Sequence, residues 1–170
     1  MRHLRTIGLL PFTVTVVIPT LILLSTQSIN VGWSLMPPLN LLPVITGVGF
    51  ILAGLFLLYQ TIRLFATVGD GTLAPWEPTQ KLVVVGVYRY VRNPMISGVL
   101  SILIGEVLIS GSIALLVYFV LVATLNLIYM PLSEEPGLLE RFGDDYRVYK
   151  QNVPAWIPRR TPWNQPRTTL

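Results

Sequence analysis

The sequence predicts an all-α integral membrane protein: four transmembrane helices, a cytoplasmic loop, and C-terminal interfacial helices. Three observations carry this. Of the 170 residues, 52% are hydrophobic and only 12% charged, whereas roughly a quarter of a typical soluble domain is charged. Mean hydropathy is +0.64, and the apolar residues fall into four separated stretches, which points to lipid rather than a water-soluble core. All 12 basic residues lie before the first stretch, between the end of the second and the third, or after the fourth. The expected organisation is one membrane domain over residues 1–170.

The first span runs from about Ile7 to Leu24, behind Arg2 and Arg5. A signal peptide is the alternative, but no small-x-small cleavage site follows and the apolar stretch exceeds a typical h-region. Pro11 and Pro19 are kinks that a span tolerates. The second span runs from Leu41 to Leu58 and continues helically toward Phe65, giving 41–65. The third, from Met95 to Ile109, is short for a span, and the fourth runs from Ile113 to about Met130. Only "SGS", Ser110 to Ser112, separates the last two, which reads as a tight helical hairpin.

Orientation follows from charge. The linker "QSINVGWSLMPPLN" holds no Lys or Arg, and with four spans all three basic regions share one side. The positive-inside rule makes that side the cytoplasm. The expected localisation is a multi-pass protein of the bacterial cytoplasmic membrane, its active site facing the cytoplasm. Glu106 breaks the apolar pattern about 17 Å along the third span, at about 1.5 Å per residue. An ionisable group there is a functional candidate, but a hydrogen-bonded or snorkelling structural glutamate is the favoured reading.

Several function classes fall away. The chain has no cysteine, which removes thiolate nucleophiles, Cys-based zinc sites and iron–sulfur clusters. Its one histidine is His3, so a histidine metal cluster or a Ser-His-Asp triad has no imidazole at a packed position. No metal site is expected. The net charge of +4 sits at the ends of apolar segments, where it meets lipid headgroups rather than nucleic acid.

The remaining polar residues form two blocks on the cytoplasmic side. The first, residues 69–94, is rich in Gly and Pro and reads as an ordered loop, with "KLVVV" a short extended stretch. It ends in "GVYRYVRNPM". Proline disfavours helix before it and suits the first turn after it, so Asn93 is the expected N-cap and Pro94 the first residue of span three. With Arg92 beside it, this helix start is suited to a carboxylate or phosphate. Tyr88 and Arg92, four apart, share a face if this piece is helical. The second block, residues 133–160, carries Leu138, Leu139, Phe142, Tyr146 and Tyr149 at helical spacing with a break at Gly143. That pattern predicts an amphipathic helix at the membrane surface, followed by an anchor around Trp156 and Pro158. Because the hairpin makes the ends of spans three and four neighbours, the Arg92 corner should lie near Glu134 and Glu135. A purely topological role for the arginines, with the tyrosines as an aromatic belt, is the competing reading.

The pattern "GVYRYVRNPM", a short hairpin, "EE" and "RFGDDYRVYKQNVPAWIPR" resembles the isoprenylcysteine carboxyl methyltransferase and phospholipid methyltransferase family of integral membrane enzymes, over roughly residues 69 to 160. The resemblance implies S-adenosylmethionine as cofactor and a lipophilic small molecule or membrane lipid as acceptor. No G-x-G-x-x-G loop of the Rossmann type occurs. Carried over, the first cofactor stretch falls on Gln80, Lys81, Leu82 and Val83. Its "GxY" tyrosine falls on Tyr88, and its Arg-His-Pro-x-Tyr signature on Arg92, Asn93, Pro94, Met95 and Ile96. Its cofactor-binding glutamate falls on Glu134, and Glu135 is the one nearby candidate for a catalytic base. Asn93 and Gln80 replace histidines of the prenylcysteine branch, and Met130 stands where that branch has a substrate-contacting arginine. A neutral or amine-bearing acceptor is therefore expected. The alternatives are a non-enzymatic membrane scaffold and a nicotinamide-dependent enzyme like the membrane sterol reductases.

Overall fold

The computed structural model describes residues 9–67, 82 and 84–164; the side chains of residues 65–67 are outside the description. Among the described residues there are helices and turns and no strand. The five main helices are α1 (Leu9–Thr26), α2 (Leu41–Thr67), α3 (Pro94–Ser110), α4 (Ile113–Tyr129) and α5 (Glu135–Asn152). Three helices are long and apolar enough to cross a membrane: α1, α2, and the continuous helix that begins with α4 and runs on to Asn152. α3 is apolar but has 17 residues, about 25 Å at about 1.5 Å per residue, short of a hydrocarbon core of about 30 Å.

α3 is the centre of the bundle. Gly98, Val99, Ile102, Leu103, Gly105 and Val107 are all buried, and Val14 of α1, Leu58 of α2 and Tyr118, Phe119 and Val122 of α4 pack on its middle. Its closest partner is α2, and glycine makes the approach possible. A Cβ on Gly54 would lie 2.5 Å from the Gly98 carbonyl oxygen, and one on Gly47 2.7 Å from that of Gly105. Both helices space their glycines by seven residues, two helical turns, so the antiparallel pair meets backbone to backbone at two levels.

The ends of the bundle are closed by polar side chains. Gly111 turns with φ 60° after α3, the left-handed conformation that glycine adopts without strain. Ser112 caps α4 by accepting the Leu115 N–H, as the "SGS" hairpin requires. The Asn30 N–H donates to the Ser110 carbonyl (2.7 Å), the Ser28 and Ser112 hydroxyls bond at 2.8 Å, and the Trp33 indole donates to the Leu108 carbonyl (3.2 Å). The linker between α1 and α2 is thereby tied to the hairpin.

The prolines of α1 shape it in a more specific way than a kink. Residues Thr13–Val17 form a π turn, and the Ile18 N–H reaches the Thr13 carbonyl. The next bond in that register would join residue 19 to Val14, but Pro19 has no N–H. The Tyr118 hydroxyl donates to the Val14 carbonyl instead (3.1 Å), satisfying a group that lipid could not. Glu106 sits on the buried side of α3, and its Oε2 is enclosed without a hydrogen-bond partner among the described residues.

One expectation needs correcting here. The apolar stripe of α5 does not face a membrane surface. Tyr146, Tyr149 and Val153 are buried together, and Leu82, Val84, Leu138, Leu139, Phe142 and Trp163 pack on them. The stripe binds its own chain because the loop before α3 and the tail after α5 both fold onto it. The predicted break is present: Gly143 has φ 55° and ψ −128°.

Candidate active site

Where α3 begins and α4 ends, three backbone features converge. A 3-10 turn, Gly86–Arg89, opens from extended Val85, with Gly86 at φ 55°. Residues 90–93 then run without regular structure into α3. Facing them, a π turn, Met130–Glu134, joins α4 to α5, and Pro131 and Pro136 stand one at each end of this junction. A tail, residues 153–164, crosses over the loop. Tyr88 and Arg92 do not share a helix face as anticipated, because the 3-10 turn ends before Arg92.

Arg92 lies at the centre. Its Nη1 donates to Glu135 Oε1 at 2.5 Å and to the Tyr146 hydroxyl at 3.1 Å, and its Nε donates to the Val153 carbonyl at 2.8 Å. Both side chains of the Arg92–Glu135 pair are 10% exposed. The other Glu135 oxygen takes Lys150 Nζ at 2.6 Å. Arg92 Nη2 has no partner among the described residues. The Tyr149 hydroxyl donates to the Tyr88 carbonyl at 2.6 Å, which ties the 3-10 turn to α5.

The two adjacent glutamates sit in opposite electrostatic settings. Burial alone would raise the Glu135 carboxyl, but hydrogen bonds from Lys150 and Arg92 outweigh it and hold the group below its ordinary 4.5. A carboxylate held ionised with both oxygens engaged is poorly suited to accept a proton. Glu134 is raised above 4.5, first by desolvation and then by the Glu135 charge beside it, although its side chain still reaches solvent. Burial pushes the Tyr88, Tyr146 and Tyr149 phenols up, so they remain protonated donors.

Asn93 occupies the N-cap position but does not cap. Its φ of −119° and ψ of 59° lie outside the extended conformation from which a cap side chain reaches back, and no side-chain cap bond forms. Its N–H goes to Ala155, and its buried Nδ2 has no partner among the described residues. Pro94 is buried as the first helical residue, and the N–H groups of Met95 and Ile96 receive no side-chain cap. The Met95 side chain packs on the Leu58–Leu103 core. Of the first predicted stretch, Leu82 packs on the Tyr146–Tyr149 cluster, while Gln80, Lys81 and Val83 lie outside the described residues. The structure thus joins Leu82, Tyr88, Arg92 to Ile96, Glu134 and Glu135 at one corner. It adds Tyr146, Tyr149, Lys150 and the tail backbone. Their signal, a Tyr-x-x-Tyr-Lys run beside "EE", is the same stripe that reads as membrane-facing.

Glu135 and Lys150 also line an open groove of about 410 Å³ with Pro131, Pro136, Leu139 and Glu140. No group of three or more His, Cys, Asp or Glu suited to a metal occurs among the described residues.

An apolar helical bundle with a buried Arg92–Glu135 pair, flanked by the more exposed Lys150, at the end of its central helix has the make-up of a membrane protein with a polar corner. Residues 42–145 match the phospholipid methyltransferase family, and the chain belongs to it. A protein-S-isoprenylcysteine O-methyltransferase from Schizosaccharomyces pombe is 34% identical over 77 residues, 45% of this chain and 33% of the relative. The matched region thus spans about a third of that relative's length. No solved structure matches.

Proposed function

We propose that this chain is an S-adenosylmethionine-dependent methyltransferase acting on a lipophilic acceptor. We further propose that residues 1–170 form one domain with four spans and that the corner described above is its cofactor site. The observation that carries the reading is the donor set around Arg92. Among the described residues its Nη2 is unengaged, the buried Asn93 amide nitrogen has no partner, and the first N–H groups of α3 receive no side-chain cap. Together these suit a carboxylate, and Glu134 at the same corner suits an ammonium group. An amino-acid moiety carries both. In this reading Gln80, Lys81, Leu82 and Val83 border the same cofactor, and Tyr88, Pro94, Met95 and Ile96 shape its walls.

The bound cofactor supplies a methyl group on a sulfonium, a donor that needs no activation by acid. What the protein's residues contribute is orientation: Arg92 and Glu134 hold the two ends of the amino-acid moiety, and Glu135 fixes Arg92. The tyrosine cluster keeps water from the corner. Glu135 is a positioning carboxylate here. The groove beside Glu135 and Glu140 starts one residue beyond Met130, where α4 ends. That is headgroup level if α4 spans, and it supports a lipid acceptor. With Met130 buried and uncharged, no guanidinium stands there to pair an acceptor carboxylate, and an unpaired buried carboxylate is expensive. The test is methyl-tritium transfer from the cofactor to a farnesylated cysteine analogue and an aminolipid in parallel. Label in the aminolipid is expected. Label in neither acceptor, nor in a total lipid extract, would overturn the methyltransferase reading.

The corner is expected to face the cytoplasm, with both termini on that side. Met36 is 81% exposed and Arg160 is exposed, in a chain with no native cysteine. Met36→Cys and Arg160→Cys should label from opposite sides of sealed vesicles; labelling from one side contradicts four spans.

Binding should also depend on pH. The ionised form of Glu134 is the one that meets an ammonium, and its folded pKa is raised, so affinity should fall as pH drops through a value above 4.5. Glu135 is depressed, so its stabilisation is present above its ordinary 4.5 and lost only as pH falls through its lower folded value. The affinity step therefore comes first, in a folded protein. Glu134→Gln should remove the step; a step unchanged in that variant assigns it elsewhere.

A further inference from the structure

The tail after α5 lies outside the family match, which ends at residue 145, and it holds the loop on which the proposed site is built. Four successive tail carbonyls accept from the segment around Arg92. Val153 takes Arg92 Nε (2.8 Å), Pro154 the Arg92 N–H (2.9 Å), Ala155 the Asn93 N–H (3.2 Å) and Trp156 the Ser97 hydroxyl (3.2 Å). Further along, the Arg159 N–H donates to the Tyr90 carbonyl (3.0 Å) and the Trp163 N–H to the Arg89 carbonyl (2.9 Å). Arg89 answers through Nε to the Trp163 carbonyl (3.0 Å) and through Nη2 to the Asn164 side chain.

Residues 90–93 belong to no helix, and the N–H groups of Arg92 and Asn93 find their acceptors on the tail. The tail in turn cannot coil into a helix of its own, because Pro154, Pro158 and Pro162 interrupt it at four-residue intervals. It stays out of regular structure, with carbonyls free to accept. The far end is locked by a ring of contacts: Arg89 to Trp163, the Trp163 ring 5.9 Å from Tyr149, and the Tyr149 hydroxyl on the Tyr88 carbonyl.

We propose that residues 153–164 are a positioning strap for the cofactor site, with Arg89 and Trp163 as its latch. This rests on the cofactor reading of that corner. The strap touches no reacting atom; it sets the direction of the Arg92 guanidinium and the shape of the Tyr88–Asn93 loop. Opening the latch should therefore weaken cofactor binding while the α2–α3 pair stays intact, and it should do so through Arg92.

The experiment compares full-length wild type, Trp163→Ala, Trp163→Phe and Arg92→Ala, and the Trp163→Ala/Arg92→Ala double variant, in detergent. Amide exchange is read without ligand, and S-adenosylmethionine affinity by calorimetry. In Trp163→Ala, exchange at Arg92 and Asn93 should rise about tenfold or more with α2 and α3 amides unchanged. Its affinity should fall about tenfold. Trp163→Phe, which retains the backbone bond and a ring against Tyr149, should stay within about twofold of wild type. The double variant should lose little beyond Arg92→Ala alone, the non-additivity of residues acting as a unit. Unchanged exchange in Trp163→Ala overturns the strap, as do unchanged affinity in a binding-competent protein or fully additive losses. Absence of binding by wild type, with exchange still dependent on the latch, overturns the cofactor reading and leaves the loop-holding role standing.

Discussion

Replacing Gly54 by leucine should unfold or separate the helix pair at the centre of the bundle, with a loss of about 3 kcal/mol or more, at or beyond the upper range for overpacking. A Cβ at that position would meet the Gly98 carbonyl oxygen at 2.5 Å and the Ile102 backbone nitrogen at 3.0 Å. Neither is the end of a flexible side chain, so only movement of a whole helix relieves the contact. Gly49, on the same helix, has nothing within 4 Å of its virtual Cβ. Gly49→Leu should therefore be tolerated, and can gain up to about 1 kcal/mol from helix propensity. Thermal unfolding in detergent reads both. Equal midpoints for the two variants would mean that α2 and α3 do not meet through their glycines.

Glu135→Ala should be the most damaging single change at the candidate site. It leaves the Arg92 guanidinium, 10% exposed, without its charge partner, and losing one member of a buried ion pair costs about 3–5 kcal/mol. Lys150, at 43% exposure, contributes far less, and Lys150→Ala should cost about 1 kcal/mol or less. The contrast separates two roles. A positioning carboxylate predicts that Glu135→Ala lowers both the unfolding midpoint and cofactor affinity. A base predicts unchanged stability and cofactor affinity with turnover alone abolished, and that outcome would return Glu135 to the part of proton acceptor.

Much of this was legible in the sequence, and the failures have physical causes. The helices fall close to the apolar stretches because hydropathy selects them directly, and "SGS" announces its turn through a glycine that the hairpin needs at positive φ. That the Arg92 corner meets the "EE" pair followed from the hairpin bringing two helix ends together. Which glutamate it meets did not follow, because the π turn Met130–Glu134 rotates the start of α5 in a way no periodicity reveals. Asn93 reads as a cap from its residue type and its place before Pro94, but the tail claims its N–H and its side chain is left over. The stripe of α5 reads as lipid-facing because a polar helix with one apolar face looks the same whether its partner is a bilayer or a distant segment of the same chain. The glycine pairs were visible, seven apart in each of two helices, yet only an antiparallel register turns them into contacts.

The central claim is that this corner binds S-adenosylmethionine through Arg92 and Glu134, and equilibrium binding to the detergent-purified protein tests it most directly. Wild type should bind saturably with one site. Arg92→Ala and Glu134→Gln should each weaken binding on the order of ten- to a hundredfold, as loss of a charge-assisted hydrogen bond of roughly 1.5–3 kcal/mol implies. Glu134→Gln should do so with an unchanged unfolding midpoint, since its side chain reaches solvent. Saturable binding with wild-type affinity in both variants would contradict the claim and move the cofactor away from the start of α3.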